Sequence, residues 1–177
     1  MKRAQALFNL FFLMFLISIT LPSVAQSSND RSKLVQELNQ HNSGVQVIAH
    51  RDTLRIIMSV DRFFKFPSDN RIYLPKNASL DKIAMLVRTY GNRPIIVSGH
   101  TDHVGSDEWK LERSREQAET VAGYLWSNGV GLNNLLILGC ADTEPVSSNT
   151  TARGSGDNRR IEITIGLRPD RIYTTRI

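Results

Sequence analysis

The first apolar stretch, Ala6 to Thr20, is interrupted only by Asn9, Ser18 and Thr20. Lys2 and Arg3 precede it, and Leu21-Pro22-Ser23-Val24-Ala25 follows with small residues at the last and third-last places. A basic start, a short apolar run and small residues before a cleavage point form the pattern of a secretory signal peptide. The run falls short of the ~20 residues that span a bilayer. Cleavage after Ala25 is therefore expected, with a retained anchor as the alternative. Residues 26–44 are polar with Leu34 and Leu38 at helical spacing, which predicts a linker with a short helix. The pattern changes at Val45. Val45-Gln46-Val47-Ile48 alternates, and Leu54-Arg55-Ile56-Ile57-Met58 follows the turn-like Arg51-Asp52-Thr53, so a hairpin is predicted. Phe63 to Phe66 reads as an aromatic edge ended by Pro67-Ser68-Asp69-Asn70. Leu80, Ile83, Ala84, Leu86 and Val87 recur at helical period behind Asn77-Ala78-Ser79, ending near Tyr90-Gly91. Pro94 to Gly99 is a short apolar strand. Ser106-Asp107 opens a second helix with Ala118, Val121, Ala122 and Leu125 on one face, and Asn128-Gly129 closes it. Leu135 to Gly139 is a further strand. Ser147 to Asp157, rich in Gly, Ser and Thr, reads as a loop, and Arg160 to Ile165 alternates as the closing strand. Helices interleaved with strands predict an α/β (α+β) two-layer sandwich, a mixed sheet with helices packed on one face.

Composition narrows the class. The chain has 177 residues, 41% hydrophobic and 22% charged, enough for one domain with a real core. Without Lys2 and Arg3 the 22 Lys and Arg become 20 against 17 acidic residues, a net charge of +3. That is too small to argue for nucleic acid, and it is compatible with anionic wall polymers or lipid head groups. Cys140 is the only cysteine. It excludes an internal disulfide, lies far from the cleavage point, and reads as a small residue packed at a strand end.

Val97-Ser98-Gly99-His100-Thr101-Asp102-His103-Val104-Gly105 closely resembles the strand-and-turn motif GHTDxxG of the OmpA-like C-terminal domain family. Asn128-Gly129-Val130, Gly139, Glu144-Pro145-Val146, Asn149-Thr150-Thr151, Gly154 and Asn158-Arg159-Arg160-Ile161-Glu162-Ile163 follow that family's later motifs in order. The similarity runs from about Val45 to Ile165. It divides the chain into a signal peptide (1–25), a linker (26–44), an OmpA-like domain (45–167) and a basic tail (168–177). The resemblance implies a βα-βα-ββ sandwich in the periplasm or cell envelope, in some members outer-membrane associated. It implies non-covalent binding of peptidoglycan stem peptides through diaminopimelate, anchoring an envelope assembly at the wall.

Diaminopimelate carries an ammonium and a carboxylate on one carbon, so a site for it needs an anion and a cation, and Arg is the best carboxylate partner. Asp102, next to Thr101 on the turn opened by Gly105, is the candidate anion; its alternative role is to cap that turn. The family places an Arg early in the long helix. Here Gln117 takes that place, Ser114 matches the family Ser, and Lys110 and Arg113 stand where the family has Asn and Leu. Arg113 lies four residues before Gln117 on the same helical face and is the candidate substitute cation. A two-residue slide would bring Arg115 to the Arg position but breaks the match from Gln117 to Leu125. Pro67 follows Phe66 where the family often has Asp, with Asp69 further on. Weakened binding, altered specificity and lost binding all stay open. Arg159 and Arg160 are further candidates, one of them lining the pocket.

An enzyme is not expected, and neither a cofactor nor a metal. A zinc set of His100, Asp102 and His103 has poor spacing and no fourth partner, and Ser114 has no His at a suggestive position. A signal-bearing chain that is all OmpA-like domain with a degraded site is also similar to small accessory proteins of type IVB secretion, of the DotK/IcmN kind. The expected partners are peptidoglycan and, on that second reading, envelope or secretion-system proteins, with no nucleic acid.

Overall fold

The computed structural model describes residues 24–50, 53–73, 77–131 and 135–166. The chain divides into two compact units, 1–33 and 34–177. Of the first, only the opening turns of helix α1 (Val24–Leu38) are described. The expected signal segment lies outside the described residues except for Val24 and Ala25, and the tail from Arg168 lies wholly outside them. Among the described residues no helix is long and apolar enough to cross a membrane.

The second unit is built on five strands: β1 (Val45–His50), β2 (Thr53–Ser59), β3 (Ile95–His100), β4 (Leu135–Gly139) and β5 (Arg160–Ile165). Their order is β1-β2-β5-β3-β4, antiparallel except for the parallel pair β3–β4. The mixed sheet expected from the hydrophobic pattern is thus the one that forms. Period-two alternation decides its faces. Leu54, Ile56 and Met58 pair with Ile165, Ile163 and Ile161, and all six are fully buried. Burying each such side chain contributes about 1.5–3 kcal/mol. The same face receives Leu80, Ile83, Leu86 and Val87 of α3 (Asn77–Arg88) and Ala118, Val121, Ala122 and Leu125 of α4 (Asp107–Ser127). Helix α4 opens on Ser106, whose Oγ accepts from the Trp109 N–H at 3.2 Å, and ends where Gly129 takes a φ of +85°.

Three segments depart from the sequence expectations. Residues 26–44, read as a linker with a short helix, do form a helix over most of their length, but its last turns pack into the domain. Leu38 is buried in the core, Glu37 pairs with Lys82 at 2.7 Å, and Asn39 exchanges two hydrogen bonds with the Val47 backbone of edge strand β1. The aromatic edge begins at the end of a short helix, α2 (Val60–Phe63), and bridges only at Phe64 to Ile72, with Phe63 and Phe64 sunk into the core. The expected loop Ser147 to Asp157 contains α5 (Ala152–Asn158), capped by Thr151 Oγ1 accepting from the Gly154 N–H at 3.0 Å. Buried Asn158 ties that helix down, accepting from the Val146 and Ser147 N–H groups and donating to Ser147 O. Capping and this long-range network outweigh the poor helix propensity of Gly and Ser.

One close approach places everything that follows. Gly99 of β3 sits opposite Gly139 of β4. A Cβ at Gly99 would stand 1.9 Å from Ser114 O, and one at Gly139 would stand 2.8 Å from Leu111 O. The glycine pair therefore lets the α4 backbone rest directly on the strand ends.

Candidate functional site

The site lies where β3 and β4 end. Beyond the strands the two segments stay joined: the Cys140 N–H donates to Gly99 O at 2.9 Å, and the Thr101 N–H donates to Ala141 O at 2.8 Å. Ala141 has a φ of +49°, which costs a residue with a Cβ. Its N–H donates to Ser114 Oγ at 3.0 Å, and that hydroxyl in turn donates to Leu111 O at 2.9 Å. Helix α4, seated on the glycine pair, thus holds the strained turn through one side chain.

Asp102 takes the turn-closing role that the sequence offered as its alternative, and it also holds a cation of its own chain. Its Oδ1 accepts from the Val104 N–H at 3.0 Å, closing the turn, while its Oδ2 accepts from Arg159 Nη1. The other edge of the Arg159 guanidinium is bidentate to Asp61 of α2, at 2.8 and 2.7 Å. The hydrogen bonds that Arg159 donates to Asp61 push it further above its ordinary pKa, and the one it donates to Asp102 adds to this against the cost of burial. Asp61 was not legible as a site residue. Its partner is 98 positions away, and the only local sign is a carboxylate between the apolar Val60 and Phe63.

Gln117 is 1% exposed and spends both amide hydrogens on backbone, donating to Pro67 O and Asp69 O at 2.9 Å each. It pins the loop that follows Phe66. On that loop the hydrogen bond from Arg71 holds the Asp69 carboxyl down to about 2. Arg113 lies over the Trp109 ring, 5.6 Å from its centroid, and its Nη1 pairs with Glu116 at 3.1 Å. The Arg113 Nε and the Thr101 Oγ1 are buried and have no hydrogen-bond partner among the described residues. Arg115 pairs instead with Glu119 on the exposed side of α4, so Gln117, not Arg115, reaches the site.

Thr101, Asp102, Arg113, Gln117 and Arg159 line one cavity of about 360 Å³. Two further candidates lie elsewhere. Ser114 is fully buried beneath the turn, where it acts on Ala141. Arg160 points to the opposite face of the sheet from Ile161, pairs with Glu162 at 2.7 Å and donates to Glu144 O at 3.1 Å. It lines a second cavity, about 760 Å³, between the β1–β2 hairpin and α5. Among the described residues, that larger cavity has no buried polar side-chain atom lacking a partner. Such an atom is expensive to leave unpaired, so the smaller cavity is the better ligand site.

Comparison with known proteins identifies the family. The chain is 31% identical over 134 residues to "Probable lipoprotein YiaD" of Escherichia coli, covering 74% of this chain and 61% of the relative. It is 29% identical over 101 residues to "Peptidoglycan-binding protein ArfA" of Mycobacterium tuberculosis, covering 56% of this chain and 31% of that one. The chain therefore spans about three fifths of the first relative's length and about a third of the second's. In fold it resembles the cell wall anchor of the T6SS from Pseudomonas aeruginosa, with a TM-score of 0.68 at 23% identity over 77% of this chain and 96% of that one. Residues 64–159, more than half of the chain, match the model of one non-catalytic family, and the chain belongs to it: the OmpA family.

Proposed function

We propose that this domain binds peptidoglycan non-covalently in the cell envelope, taking the diaminopimelate end of a stem peptide and so positioning an envelope assembly at the wall. The observation that carries the reading is the charge layout of the smaller cavity. Asp102 on its wall shares the cation Arg159 with Asp61, which lines the larger cavity, so the three groups together keep one negative charge behind the Asp102 carboxylate that faces an ammonium. Arg113 and Thr101 line the same cavity with buried polar atoms that have no partner among the described residues, as a carboxylate acceptor would require. Arg113 exchanges Glu116 for the ligand carboxylate, and its stacking on Trp109 keeps the guanidinium in place meanwhile. The name of the relative ArfA and the wall-anchor neighbour support the ligand class.

Gln117 favours a second reading. Both of its donors are consumed by the loop carbonyls, so it offers a carboxylate nothing. On this reading the domain is a scaffold component of an envelope or secretion assembly whose peptidoglycan binding is weakened or lost.

Cosedimentation of the full chain with purified sacculi, competed by a soluble diaminopimelate stem peptide, separates the two. The binder reading expects saturable sedimentation, relieved by the peptide. Arg113→Ala should weaken it roughly tenfold, the value of a charged hydrogen bond of about 1.5 kcal/mol. Wild-type protein that stays in the supernatant ends the binder reading and leaves the scaffold.

A further inference from the structure

The chain's only cysteine stands at the end of β4, and His100 is the last residue of β3. Because Gly99 pairs with Gly139 in parallel register, His100 and Cys140 leave the sheet side by side. The Cys140–Thr143 turn, closed by the Thr143 N–H and hydroxyl donating to Cys140 O, then brings Glu144 back over them. One imidazole nitrogen, the Cys140 Sγ and one Glu144 carboxylate oxygen lie within 4.8 Å of one another. His100 is 2% and Cys140 8% exposed, whereas Glu144 is exposed.

We propose that His100, Cys140 and Glu144 form a binding site for one divalent transition-metal ion of the zinc class. Nitrogen, sulfur and carboxylate oxygen together suit a borderline-soft ion, and a thiolate with an imidazole excludes magnesium and calcium, which take oxygen ligands. Tetrahedral zinc holds such atoms at about 2.0–2.3 Å, which sets them roughly 3.3–3.8 Å apart. Two of the three ligands stand at the strand ends and the third, Glu144, on the surface. The ion takes the thiolate, and the thiol proton leaves to solvent. Three protein ligands leave a fourth position for water. The neighbouring cation Arg160 is paired with Glu162 at 2.7 Å and donates to the Glu144 main chain, and Lys110 is paired with Asp142 at 2.8 Å, so both charges are offset locally.

The set shares only His100 with the zinc set that the sequence argues against. Asp102 is committed to Arg159 and Val104, and His103 is exposed. The bound ion would staple β3 to β4 immediately before Thr101 and Asp102, stiffening the turn that forms the cavity wall. The inference stands whether or not that cavity takes a stem peptide.

Cobalt(II) is the probe, titrated into the full chain after chelator treatment and reduction. One ion per chain is expected, with a thiolate-to-cobalt charge-transfer absorption that zinc displaces. With a single cysteine in the chain, that band reports Cys140 alone. Cys140→Ser should abolish it. Glu144→Gln, an isosteric change on an exposed side chain, should keep the band but weaken cobalt binding at least about tenfold, since even outer-shell partners are worth 10–100-fold. Cobalt that binds without the band, unchanged affinity in Glu144→Gln, or no binding at micromolar cobalt each overturns the site.

Discussion

Replacing Thr101 by Val separates a residue kept for folding from one kept for a ligand. Thr101 is 6% exposed, and its backbone is already secured by its bond to Ala141 O. Its hydroxyl is buried with no partner among the described residues. Thr→Val exchanges that hydroxyl for a methyl group of similar shape. Where a hydroxyl has a partner the exchange is costly, but an unpaired buried hydroxyl costs about 1–3 kcal/mol, a burden the valine lacks. The variant should therefore be at least as stable as wild type, by about 1 kcal/mol and at most about 3. Urea unfolding measures this as a raised midpoint at unchanged slope. The ligand side moves the other way. Loss of one hydrogen bond to the ligand carboxylate, about 1.5–3 kcal/mol, should cut stem-peptide affinity about 10- to 150-fold. A variant destabilised by more than about 1 kcal/mol would refute the reasoning, because the hydroxyl must then have a partner in solution. A stabilised variant with unchanged affinity would remove Thr101 from the ligand's contacts.

Ser114→Ala strands the Ala141 N–H in a strained turn and should cost about 1–3 kcal/mol in chemical unfolding; a loss under 0.5 would show that the turn does not depend on it. Arg159→Gln leaves Asp61 and Asp102 without their shared cation and should cost about 1–2 kcal/mol, less than a fully buried pair because Asp61 is partly exposed; heating the two proteins side by side tests this. The Lys110 hydrogen bond holds the Asp142 carboxyl below its usual range, so its contribution is full above the ordinary carboxylate pKa and disappears as pH falls through the lowered one. Asp142→Asn should accordingly be less stable than wild type at neutral pH and equal to it in strong acid, as urea midpoints at the two pH values will show.

How far the sequence could be read depends on how local each cause is. The β5 alternation from Arg160 to Ile165 and the Ala118–Leu125 face of α4 are repeating patterns, and both elements form as expected. Thr101, Asp102, Arg113, Gln117 and Arg159 could be brought forward through a recognisable motif and a helix register, and the fold gathers them around one cavity. What escaped depends on partners distant in sequence. Helix α5 hides behind Gly and Ser because Asn158 and Thr151, not propensity, hold it. Asp61 matters only because α2 delivers it to Arg159. Gln117 looked like a poor ligand donor, yet its amide is occupied by Pro67 O and Asp69 O, carbonyls some fifty positions away.

The glycine pair beneath α4 changes how a mutational survey of this domain should be interpreted. Neither Gly99 nor Gly139 lines the smaller cavity, yet any side chain at Gly99 must lift Ser114, and with it the helix that presents Arg113 and Gln117. A screen scored by sacculus retention would rank Gly99 among the strongest loss-of-binding positions and invite its inclusion in the recognition surface. Scoring the same variants for abundance would separate the two kinds of position. Substitutions at Arg113 should lose retention while protein levels hold, whereas those at Gly99 should lose both together. The invariance expected of that glycine across relatives would then record the spacing between a helix and a sheet, and say nothing about which ligand is bound.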